Sequence, residues 1–169
     1  MSPLRLRRER PDLAVAPGER LLAWATDTAG GVVGGTRDAL YLTEPEQEPV
    51  RVPWEQVEAA DWDRDSSVLT VSEVGTWGEV RRRHQVTIDQ PGSLLELLRE
   101  RVTASIVLQR HVALRGRRGV RVVARRAPHS HGDIAWFLDY DEGVDPDDPA
   151  VGAAVDEALT AARGEVGAG

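Results

Sequence analysis

The chain has 169 residues, 41% of them apolar and 29% charged, with a formal net charge of −7 and no cysteine. At that length a chain buries roughly two-thirds of its unfolded surface, so one globular unit or two small ones need no covalent staples. The missing cysteines exclude a disulfide framework, a thiol nucleophile, a Cys-ligated zinc site and an iron–sulfur cluster, and no apolar run reaches the roughly 20 residues of a membrane-spanning helix.

Four arginines within the first ten residues precede Pro11 and Asp12, with no apolar stretch for a signal peptide. Residues 1–18 are therefore expected as a flexible basic segment, and the cytoplasm as the compartment. After the Ala16-Pro17-Gly18 break, strands are predicted over 20–26, 32–36 and 39–43, separated by turns at 27–31 and at Arg37-Asp38. Gly30-Gly31 and Gly34-Gly35 give these hairpins their freedom. Pro45 and Pro49 make 44–49 a loop. Strands resume over 50–54 and 57–62, and 68–72 returns from the polar turn Asp63-Arg64-Asp65-Ser66. A turn over 75–78 leaves Trp77 as the exposed tryptophan, while Trp24, Trp54, Trp62 and Trp136 fall in strands as core or rim. Residues 79–88 form the last strand of this set, with Val86 and Ile88 inward and Arg81, Arg82 and Arg83 toward its exposed end.

The period then changes. Ser93-Leu94-Leu95-Glu96 has the capping-box pattern, and Leu95, Leu98, Val102 and Ile106 follow at helical spacing. Strands are predicted over 107–114 and 119–126, the latter with Val120, Val122 and Ala124 on one face. A loop over 127–132 leads to an apolar strand over 134–140. Asp148-Pro149 is N-cap then first helical position, and Val151, Val155, Leu159 and Ala162 form the buried stripe of a helix ending at Gly164.

Residues 19–103 thus run as six or seven short antiparallel strands closed by one amphipathic helix. That order resembles the pleckstrin-homology-like (PH-like) barrel, and more closely the small bacterial PH-like proteins. The resemblance is carried by Gly18-Glu19-Arg20 opening the first strand, Gly35-Thr36-Arg37-Asp38-Ala39-Leu40-Tyr41 at the second hairpin, and Val52-Pro53-Trp54-Glu55-Gln56-Val57 before the crossover. It implies an α+β, mostly β fold: a split barrel over 19–106 closed by its helix, with an α+β extension over 107–169 packed on it. It also implies a binding or assembly module, not a catalyst. Asp27-Thr28-Ala29-Gly30-Gly31 stands where the lipid-binding type carries a basic loop, which disfavours phosphoinositides.

Charge is segregated along the chain. Residues 1–10 carry +3, 11–74 carry −9, 75–126 carry +8 and 127–169 carry −9. All 21 basic residues are arginines, which GC-rich coding explains without selection. Pairing of the basic middle with the acidic flanks, or plain solvation, is expected ahead of nucleic-acid binding, because an acidic chain repels a phosphate backbone at long range.

The strongest binding candidate is the arginine hairpin: Arg115, Arg117, Arg118, Arg121, Arg125 and Arg126, with Gly116 and Gly119 allowing a tight turn that projects guanidinium groups together. No aromatic residue lies between Val80 and Ala135 to stack on bases, which weakens an RNA-binding reading of that hairpin. His129-Ser130-His131 with Asp133 is the only local group able to begin a metal site, and a solvated loop accounts for it. His84 and His111 are isolated. The acidic run from Asp139 to Asp148 fails the EF-hand pattern, with its glycine one place early and Ala150 at position twelve. No nucleophile elbow, Walker loop or dinucleotide fingerprint is present. The expectation is a noncatalytic module without metal or cofactor that binds a protein partner or itself through a sheet edge or the hairpin. RNA binding through 115–126 is the alternative, and a metal-dependent enzyme at His129 and His131 the second.

Overall fold

Asp27 closes the first hairpin: its Oδ1 accepts from the Ala29 N–H (2.8 Å) and its own N–H donates to Gly31 O (2.8 Å). The computed structural model describes residues 9–75 and 79–167. Strand β1 (Ala23–Thr26) is followed by β2 (Val32–Gly35), β3 (Ala39–Thr43) and β4 (Val50–Pro53), paired antiparallel in that order as one sheet. A 3-10 turn (Trp54–Gln56) leads to a second antiparallel sheet of β5 (Val57–Asp63), β6 (Val68–Glu73) and β7 (Arg83–Thr87). Helix α1 (Leu94–Ser105) runs directly into β8 (Ile106–Arg115), which with β9 (Arg118–Arg125) and β10 (Ala135–Tyr140) forms a third sheet ordered β10-β9-β8. Helix α2 (Pro149–Gly167) follows. The fold is mostly β, of the α+β class, with three antiparallel sheets and two helices among the described residues. Among the described residues no ladder joins the first sheet to the second, and no helix is long and apolar enough to cross a membrane.

The first two sheets and α1 share one core, built on Trp54, Leu40, Leu69, Ile88 and Leu94, all fully buried. The indole N–H of Trp54 donates to Thr36 O (3.0 Å), so Trp54 sits in the 3-10 turn and not at a strand end. The paired glycines of β2 serve packing more than turning. A Cβ at Gly34 would stand 2.6 Å from Leu21 Cδ1, and one at Gly35 2.5 Å from Leu97 Cδ2. Leu13, Leu21, Ala39 and Tyr41 form a second cluster on the other face of that sheet.

Helix α1 departs from expectation at both ends. Ser93 has helical backbone angles (φ −77°, ψ −3°) and makes no capping hydrogen bond. The preceding turn, closed by Leu94 N–H to Pro91 O (3.1 Å), winds the chain before Ser93, which removes the extended backbone that a capping hydroxyl requires. The buried stripe is Leu94, Leu97 and Leu98, with Leu95 and Val102 packed at its margin. Ile106 is extended (φ −85°, ψ 116°) and begins β8, whose β-branched start ends the helix.

Strands β1 and β7 are shorter than the runs 20–26 and 79–88, and Trp77 lies outside the described residues. At α2 the Asp148 carboxylate accepts from the Ala150 N–H (2.9 Å), the cap that its position before Pro149 predicts. The helix passes through Gly164 and runs to Gly167, since an interior glycine weakens a helix by only about 1 kcal/mol. Val151 and Val155 bury against Val120 and Val144, with Leu159 at the margin, so α2 covers one face of the third sheet.

Candidate functional site

The arginine hairpin is the β8–β9 turn. Gly116 takes a left-handed conformation (φ 61°), and the register places Arg115 opposite Arg118. Part of the basic segment is matched by acids of the same chain. Arg115 donates to Asp148 (2.6 Å), and Arg110 donates to both carboxylate oxygens of Glu165 (2.7 and 2.6 Å). Asp139 lies opposite Arg121 in the sheet and receives Arg121 at 3.6 Å and Arg81 at 2.9 Å. Arg81 also grips both oxygens of Glu58 (2.8 and 2.7 Å). Glu58, Arg81, Arg121 and Asp139 line a small polar cleft of about 140 Å³ between the second and third sheets.

His111 is not isolated: its Nε2 lies 2.8 Å from Asp141 Oδ2, which also accepts from the Gly119 N–H (2.7 Å). The His111 hydrogen bond, helped by that of Gly119, holds the Asp141 carboxyl below its ordinary value. His84 likewise meets Glu73 at 2.8 Å.

The six candidate arginines therefore separate. Arg115 and Arg121 are exposed and paired. Arg117 and Arg118 stand exposed at the turn, and neither forms an ion pair among the described residues. Arg126 is half-buried at the far end of β9, beside His129 and His131. Arg125 is turned inward. It is 5% exposed, with Nη1 donating to Val57 O (3.0 Å) and Ser105 Oγ (3.1 Å) and Nη2 to Glu58 O (3.4 Å). Its guanidinium caps free carbonyls at the start of β5, the edge strand of the second sheet. Burial pulls its pKa down, and the nearby charge of Glu58 pushes it back up.

Two features had no signal in the sequence pattern. The first is a part-buried triad on the outer face of the first sheet, with Tyr41 buried and Arg51 exposed: the Tyr41 hydroxyl and Arg51 Nη2 both donate to Glu19, and Arg51 Nε donates to the Tyr41 oxygen (3.1 Å). The second is the outer edge of β10. Pro53 and Arg51 guard β4, Arg125 and a bulge guard β5, and two bulges interrupt β8. Among the described residues β10 pairs only with β9, in unbroken register, and it carries Trp136, Phe137, Leu138 and Tyr140 without proline or arginine. Among the described residues no group of three or more His, Asp or Glu side chains is placed to hold a metal ion.

No protein-family model matches the chain, and no curated protein matches it.

Proposed function

We propose that the chain is a noncatalytic cytoplasmic module for protein interaction, in which residues 19–106 form a PH-like split barrel and β10 is the docking edge. The outer edge of β10, which has no ladder partner among the described residues, carries this reading. The half-buried Phe137 offers apolar area beside it. A second copy is the occupant argued for here, because two antiparallel edges related by a twofold axis are self-complementary. The barrel reading is supported by the common core of the first two sheets with α1, and by the Thr28 N–H to Thr87 O bond (3.0 Å) between their ends.

Sedimentation velocity over a wide concentration range tests it. Association is expected to strengthen with concentration, to protect the β10 amides from hydrogen exchange, and to be lost in Phe137→Arg, which places a charge on the edge. A protein that stays monomeric, or that associates equally well as Phe137→Arg, overturns the reading. Salt-sensitive RNA binding that vanishes in Arg117→Gln/Arg118→Gln, in a protein that stays monomeric, overturns it in favour of RNA.

A further inference from the structure

The loop between β9 and β10 brings Arg126, His129, Ser130 and His131 around one open pocket, floored by Ala104, Ile106 and Val107. Arg126 and His131 also border the adjoining depression, whose single acid, Glu165, is already held by Arg110. Three local features fix the loop. The Arg126 N–H donates to Ser105 O (2.9 Å), which ties the loop to the end of α1. His129 adopts a left-handed backbone (φ 61°), uncommon for a residue with a side chain and found disproportionately at ligand sites. Ser130 Oγ accepts from the Gly132 N–H (2.8 Å), which spends an acceptor position and leaves the hydroxyl proton free to donate.

The Arg126 side chain is half-buried and forms no hydrogen bond or ion pair among the described residues, unlike Arg110, Arg115 and Arg121, and the nearby Glu165 is held by Arg110. A guanidinium in that setting lacks an anion, and its fork of donors matches the oxygens of phosphate. The same positive charge repels a divalent metal from the two imidazoles. We propose that Arg126, Ser130, His129 and His131 form a binding site for a phosphate dianion, free or as a monoester. Arg126 supplies the fixed charge and two parallel donors, Ser130 a hydroxyl donor, and the two imidazoles N–H donors at the rim.

The four histidines provide the readout. Ring resonances of the full-length protein are followed during titration with inorganic phosphate at constant ionic strength, then with a phosphoserine peptide. His129 and His131 are expected to shift in a saturable way, while His84 and His111, engaged with Glu73 and Asp141, stay still. Arg126→Gln keeps the backbone bond to Ser105 and is expected to weaken binding by about tenfold or more, the effect of one charge-assisted hydrogen-bond pair. Arg117→Gln, at the other end of the hairpin, should leave binding unchanged. Saturation by phosphate alone identifies the free ion, and tighter saturation by the peptide identifies a phosphorylated chain. The site is refuted if all four rings shift alike, if none shifts, if Arg126→Gln responds as the parent does, or if zinc binds the two histidines stoichiometrically and phosphate does not. Far-UV circular dichroism establishes that Arg126→Gln is folded, and His131→Asn, with the same loss expected, gives a second route to the result.

Discussion

Arg125→Met removes the clasp between the third sheet and β5 while keeping most of the side-chain volume. The guanidinium donates to two backbone carbonyls and one hydroxyl, Val57 O, Glu58 O and Ser105 Oγ, at 3.0, 3.4 and 3.1 Å. Hydrogen bonds from a charged donor contribute about 1.5–3 kcal/mol each, and the variant strands buried acceptors, while removal of a desolvated cation returns part of that loss. A net destabilisation of about 2–4 kcal/mol is expected, or a fall in Tm of roughly 5–12 °C for a chain of this size. Urea unfolding followed by tryptophan fluorescence and by far-UV circular dichroism gives two probes on the same sample. The parent should unfold in one transition, and Arg125→Met in two, with the third sheet and α2 separating from the first two sheets and α1. Arg121→Met is the control on the same face of β9; its exposed 3.6 Å contact with Asp139 should contribute less than about 0.5 kcal/mol. If Arg125→Met is no less stable than Arg121→Met, the buried guanidinium is not what joins the two parts.

Arg101 carries the opposite expectation. Its Nε and Nη1 are buried without an acceptor, so Arg101→Met should leave stability unchanged or raise it by about 1 kcal/mol, read from the urea midpoint. Asp148→Ala loses both the α2 cap and the Arg115 partner and should cost about 1–2 kcal/mol, whereas Asp148→Asn keeps the cap and should cost less than about 0.5 kcal/mol. Glu19 predicts a pH effect. Burial pushes its pKa up, but hydrogen bonds from Arg51 and Tyr41 outweigh that and hold the carboxyl below its ordinary value. Its stabilising contribution is complete above the unfolded-state pKa and is lost as pH falls through the lower folded value. Stability measured between neutral and acid pH should therefore fall less steeply in Glu19→Gln than in the parent. Parallel curves would refute the role given to the triad.

Where local pattern and tertiary packing agree, the sequence was enough. Residues 39–43 form β3 as expected because alternate residues pack into cores on both faces, Leu40 on one side and Ala39 and Tyr41 on the other. Asp148 before Pro149 begins α2 because cap and first turn are set by three adjacent residues. Ser93 does not cap because of the turn that precedes it. The capping-box spacing is intact, but the turn from Pro91 had already placed the serine in the helix. Arg121 and Arg125 lie on one face of β9, four residues apart, and nothing local distinguishes them. One meets solvent and the other meets the carbonyls of β5, 67 and 68 positions away in the chain. Alternation assigns a face to a residue; it does not say what covers that face.

The charge segregation has the same kind of resolution. The +8 and −9 segments are consecutive in the chain, and the antiparallel return of β10 along β9 folds the second onto the first. Asp139 meets Arg121 in register, Asp141 reaches His111, Asp148 reaches Arg115 across the loop, and Glu165 on α2 reaches Arg110. Each match follows from topology, so pairing is densest along the middle of the hairpin. Among the described residues its two ends, Arg117 and Arg118 at the turn and Arg126 at the base, form no ion pair. The turn projects its pair into solvent, where screening leaves isolated cations little binding energy. The base holds one half-buried guanidinium beside a hydroxyl and two imidazoles, where a single anion gains most. A search for the ligand of the basic segment therefore starts at Arg126, at the opposite end of the hairpin from the turn in which its arginines are most crowded.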